Sequence, residues 1–175
     1  MNSFLPEDYK IPSTSNYMKF LEGKNKFRVL APATIGFEYW VDEEGKRKPV
    51  RHRDFMDVPN EFKGECKHFW AFPVWNYNEG KVQILEITQK GIMATMTVLS
   101  LDEEWGNPTG YDIIVTREGS GLETEYSVVP VPHKELEENA DISGVNVEAL
   151  FDGEDPFEAV ESKEMSGGDF MEYTK

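Results

Sequence analysis

The sequence predicts a mainly β protein: a five-stranded Greek-key barrel of the OB type, with one short helix between its third and fourth strands, followed by a flexible acidic tail. Alternating apolar residues recur along roughly the first 130 positions, with connections too short for parallel crossovers. One stretch of helical spacing interrupts them. Charge then divides the chain in two: residues 1–134 hold 16 Lys/Arg against 20 Asp/Glu, and residues 135–175 hold 2 against 13. The two parts carry −4 and −11 of the net −15, so the acidity belongs mostly to the last quarter.

The elements follow in order. Residues 24–31 set Lys24, Lys26 and Arg28 against Phe27, Val29 and Ala31, the period-2 pattern of a strand with one basic and one apolar face. Residues 35–42 repeat it, with Ile35, Phe37, Tyr39 and Val41 on one side and Trp40 among the acids Glu38 and Asp42 on the other. A turn at Gly45 leads into a basic strand over 46–56. Residues 67–77 are aromatic on both faces, and Pro73 marks an edge or a bend because it cannot donate to a ladder. The turn Asn78-Glu79-Gly80 returns the chain through 81–87, completing a hairpin. Thr88 is placed as the cap of a helix over 89–101, where Ile92, Met96 and Leu99 stand at i, i+4 and i+7; Gly91 and the β-branched Thr95, Thr97 and Val98 weigh against it. Residues 111–118 and 122–130 form the last hairpin about Gly119-Ser120-Gly121.

Composition narrows the function classes. No apolar run approaches the roughly 20 residues of a membrane-spanning helix, and Glu7 and Asp8 interrupt the N-terminus where a secretory signal would be apolar, so a cytoplasmic protein is expected. The single Cys66 excludes an intramolecular disulfide, and with His52 and His68 it offers at most three soft ligands in no regular spacing; neither metal nor cofactor is expected. The acidic triplets at 42–44 and 102–104 sit in turns or helix ends where carboxylates are simply solvated, and no catalytic constellation or phosphate loop accompanies them. A non-enzymatic role follows.

The densest chemistry is GKRKPVRHRDF, where Lys46, Arg47, Lys48, Arg51 and Arg53 place five cations within eight residues. Alone, such a run is as readily a solvated hairpin. Lys24, Lys26 and Arg28 on a neighbouring strand and the aromatic 67–77 change the balance, because cations that track phosphates and rings that stack on bases are what sequence-tolerant binding of single strands requires. Phe27, Phe37 and Tyr39 are expected in the core. Of Trp40, Trp70, Phe72, Trp75 and Tyr77, two or three are expected on a binding face, each stacked base contributing roughly 1–3 kcal/mol. Trp105 is expected to close the bottom of the core.

The stretches FLPEDYKIPSTSNYMKF, LEGKNKFRVL, LEITQKGI and WGNPTGYDIIVTREGSGLETEYSVVP together resemble a family of bacteriophage single-stranded DNA-binding proteins, over most of residues 4–134. The resemblance implies an OB-fold body at 1–134 that coats single-stranded DNA in phage replication, recombination and repair. It also implies an acidic, largely disordered tail at 135–175 that recruits phage or host replication proteins and competes with DNA for the basic groove. Related tails often finish on an aromatic or apolar anchor; here Phe170 and Tyr173 stand in that place, with Lys175 at the end. An apolar patch at Val145, Val147, Leu150 and Phe151 is set to fold against the body or a partner. A rival from another class is an acidic module that mimics nucleic acid and binds a host nucleic-acid-handling protein.

Overall fold

The computed structural model describes residues 3–7, 9, 11 and 14–157. Its strands are β1 (Gly23–Val29), β2 (Thr34–Glu43), β3 (Lys46–His52), β4 (Lys67–Asn76), β5 (Lys81–Ile87), β6 (Asp112–Glu118) and β7 (Glu125–Pro130), with the helix α1 (Lys90–Leu101) between β5 and β6. They form one antiparallel sheet of seven strands in the order β3-β2-β4-β1-β6-β7, with β5 on the other edge of β4. Seven strands replace the expected five, and the helix follows the fifth strand. Among the described residues no pairing joins β3 to β7, so the sheet is open.

β4 organises the sheet. One edge pairs with β5 from Trp70 to Asn76. The other edge is divided, residues 67–71 meeting β2 and residues 74–76 meeting β1. Pro73 lies in the interval between them and marks no edge. Its carbonyl accepts from the Leu30 amide at 3.0 Å, so its missing N–H points to the same side, at the β1–β2 link, and the ladder to β5 loses nothing. Residues 16–18 run parallel to the outer edge of β5 and bond it through Met18 and Ile84.

Alternation gives the sheet two buried faces. On the first, Phe27, Val29, Phe72, Val74, Leu85, Ile87, Tyr111, Ile113 and Val115 pack under α1, which contributes Ile92, Met93, Met96 and Leu99. The helix begins one residue later than expected: Gln89 is the N-cap residue and makes no side-chain cap. The hydroxyls of Thr95 and Thr97 donate to the carbonyls of Gly91 and Met93, which accommodates the β-branched residues without breaking the helix. Trp105 packs at the margin of this core, edge-on to Tyr111.

The second face holds a smaller core of Phe69, Ala71, Ile84 and Leu150, flanked by Tyr17, Val145, Val147, Phe151 and Phe157. The packed body therefore runs beyond residue 134, and the 145–151 patch folds onto it as a 3-10 helix, Val147–Asp152, ended by Gly153 in the left-handed region. Gly36 makes room for that segment: a Cβ there would lie 2.7 Å from the His52 carbonyl oxygen and 2.9 Å from the Phe151 ring. Of the 13 acidic residues after position 134, 8 fall within 135–157. No helix among the described residues is long and apolar enough to cross a membrane.

Candidate nucleic-acid interface

Period-2 geometry decides which predicted residues meet. Arg28 stands opposite Trp75 on β4 and Asp112 on β6, Glu38 opposite Arg51, Trp40 opposite Pro49, and Asp42 opposite Arg47. Lys24, Lys26, Arg28, Trp40, Arg47, Arg51 and Trp75 consequently share the second face of the sheet. Trp70, Phe72, Lys46 and Lys48 alternate to the first face. There Phe72 is 1% exposed and Trp70 packs against the main core, so neither extends the shared face; a ring in the middle of an apolar layer stabilises through buried area.

Two clusters of charge occupy the shared face. At the β1–β6 end, Arg28 is 2% exposed: its Nε donates to Asp112 Oδ1 at 2.7 Å and its terminal nitrogens donate to the carbonyls of Thr109 and Lys134. It holds strands and the 131–134 connection together, and is not available to phosphate. The Tyr77 hydroxyl donates to both Asp112 oxygens at 3.0 Å, and burial followed by that bond pushes the phenol up from its ordinary value. Lys26 lies over the Tyr77 ring at 4.6 Å and within 3.7 Å of Asp112, leaving it partly exposed beside the exposed Lys24.

At the β2–β3 end, Arg51 is enclosed by two acids. Its side chain is 9% exposed, donates to Glu86 Oε2 at 2.8 Å, and approaches Glu38 Oε2 at 3.3 Å without a hydrogen bond. Burial pushes the Glu38 carboxyl up to about 8, reinforced by the hydrogen bond to Glu86 and its charge and opposed by Arg51. Trp40 is 41% exposed with the Arg47 guanidinium 5.6 Å from its ring centre. Arg53 lies over Phe151 at 4.2 Å and ion-pairs with Glu148, so the C-terminal segment already engages one predicted phosphate contact. Lys48 pairs with Glu43 at 3.5 Å in the open, a contact of little energetic weight.

A groove of about 540 Å³ lies beside this second cluster, lined by Tyr17, Trp40, Pro49, Arg51, Glu86 and Asp155 among others. A separate apolar groove of about 530 Å³ runs along α1 past Ile35, Trp70 and Met96. No group of three or more His, Cys, Asp or Glu arranged to hold a metal ion occurs among the described residues. Phe170 and Tyr173 lie outside the described residues.

Three acids escaped the sequence reading as partners of the cations: Asp112, Glu86 and Glu38. The signal was present for the first two, since a lone acid inside an apolar strand (YDIIV, ILEI) cannot be buried without a cation. No family model matches the chain, and no curated protein is significantly similar to it.

Proposed function

We propose that this protein is a non-enzymatic single-stranded DNA-binding protein of bacteriophage type, acting in the host cytoplasm during replication, recombination and repair. The carrying observation is the single sheet face on which Trp40 and Trp75 lie among Lys24, Lys26 and Arg47, with Arg53 at its margin. Rings spaced along a surface with flanking cations stack bases and neutralise phosphates without a sequence code. The ion-paired Arg28 and Arg51 hold that face in shape, and the exposed cations supply its contacts. The fold is a variant of the OB type on this reading, supported by the hairpins, the shared central strand and the helix beneath the core. The sequence resemblance favours DNA over RNA and assigns partner recruitment to the acidic tail, residues 135–175.

The test is titration of the intact protein with single- and double-stranded DNA, following tryptophan fluorescence at two salt concentrations. Quenching by single strands alone is expected, weakening with salt at a log-log slope of about −0.7 per phosphate contacted. A flat salt response overturns the proposal, and binding to a host protein in the absence of any DNA affinity replaces it with the acidic-mimic reading.

A further inference from the structure

We propose that this protein assembles head to tail: the segment at residues 3–11 of one copy docks through Phe4 and Ile11 into the apolar groove along α1 of the next copy.

Two apolar surfaces are left open to water, and each fits the other. Residues 3–11 include Phe4, Leu5, Tyr9 and Ile11, all exposed, with Phe4 95% and Ile11 84% accessible. A single exposed apolar residue is ordinary; four within nine positions, in a segment with no buried residue among those described, mark a binding element. The groove of about 530 Å³ supplies a matching concavity, large enough for a few side chains. It is lined by the buried Val29 and Phe72, by Trp70 and Met96, and by Ile35, which is 55% exposed; none of the described residues lining it is charged. Copies that each carry a net charge of −15 repel one another, so they can associate only where apolar surface is buried without setting like charges together. This groove meets that condition.

The position of the two surfaces fixes the kind of assembly. Residues 3–11 lead to residues 16–18 on the outer edge of β5, whereas the groove is bordered by Ala31, Pro32 and Ala33 in the β1–β2 link, at the opposite edge of β4. Segment and groove are therefore different patches of one copy. A contact between them leaves a free segment at one end and a free groove at the other, so it propagates instead of closing as a two-fold pair does. The groove lies on the first face of the sheet, with Trp70 and Phe72, so the cations and rings of the second face stay uncovered. On the single-strand reading, successive copies then line one strand without blocking the face that holds it.

The experiment is sedimentation velocity of the full chain without DNA, from about 10 μM to about 1 mM, at a salt concentration that screens the net charge. A nine-residue segment buries less than a standard interface, so the natural protein is expected to be monomeric at the low end and to grow beyond the dimer at the high end. The double variant Phe4→Ser, Ile11→Ser and the separate variant Ile35→Ser alter exposed side chains at constant net charge, and each is expected to weaken association about tenfold or more. Ser100→Tyr, which fills the groove from α1, is expected to repeat the Ile35→Ser result. An equal mixture of the Phe4→Ser, Ile11→Ser and Ile35→Ser proteins is expected to form a dimer and stop there, because one intact segment meets one intact groove. A natural protein that stays monomeric throughout overturns the proposal. So does one that stops at the dimer, or a series that the variants leave unchanged. Assembly by a protein with no affinity for DNA overturns the single-strand reading and leaves this contact standing.

Discussion

Arg28, buried, and Arg51, half-buried, lie on the same face of the same sheet, yet they are held in opposite ways. Arg28 meets one carboxylate, Asp112, and spends its terminal nitrogens on two backbone carbonyls. Arg51 meets two carboxylates, Glu38 and Glu86, and its Nε makes no hydrogen bond. The first arrangement gives each of the three guanidinium nitrogens a partner, which makes it a structural tie between β1, β6 and the chain at 134. The second carries excess acid beside a groove, so its charge state and its contacts can both change. A cation inherited from a basic-looking strand thus serves either architecture or chemistry according to how many acids surround it.

The largest effect is expected from breaking the first tie. Arg28→Met leaves Asp112 buried with Tyr77 and the partly exposed Lys26 as its remaining partners, and is expected to cost about 3–5 kcal/mol in urea denaturation. Arg51→Met is expected to cost clearly less, because a proton on Glu38 can neutralise one of the two acids left behind. Equal losses would remove the distinction.

Next comes Leu150→Ala, expected to cost about 2–5 kcal/mol by the usual cost of emptying a buried site. Leu150 joins the C-terminal segment to Phe69 and Ile84 next to the Arg51 cluster, so the variant is also expected to speed exchange of backbone amides in 145–157 while those of β1 and β6 stay protected. Loss of protection throughout the sheet would mean that the two ends do not differ in stability.

A pH series sharpens the same contrast. The folded Glu38 carboxyl titrates near 8 against an ordinary 4.5, so the folded state holds the extra proton. That contribution to stability is fully present below about pH 4.5 and is lost as pH rises through about 8. Glu38→Gln is expected to flatten the fall between those limits relative to the natural protein, and the difference between the two denaturation series isolates this group from the others that titrate. Identical slopes would show that Glu38 stays ionised in the fold.

Much of this architecture is legible in the sequence, and the parts that are not have a common cause. The alternation in KNKFRV placed Lys24, Lys26 and Arg28 on one face, and the spacing of Ile92, Met96 and Leu99 placed the helix, because periodicity is a local property. Burial of Arg28 depends on Asp112, which is distant in sequence, and the packing of Leu150 on Phe69 is equally remote. Charge counting described 135–157 as tail for the same reason: it holds eight acids and no Lys or Arg, but its apolar residues meet a glycine-opened surface at Gly36. Phe72 and Trp75 look alike on the page and differ only by strand parity, which a count of aromatics does not resolve.

The smallest effects belong to the exposed cations, and they separate architecture from contact most cleanly. Arg47→Ala and Lys24→Ala leave both buried clusters intact, so little change in stability is expected. Each is expected to reduce the salt slope of single-strand binding by about 0.7, one phosphate contact apiece. Arg28→Lys, which keeps the buried charge but loses the forked hydrogen bonds, is expected to lower stability with no change in that slope. Should the slope fall for Arg28→Lys and hold for Arg47→Ala, the DNA track would run past Asp112 instead of Trp40, and the roles assigned to the two arginines would exchange.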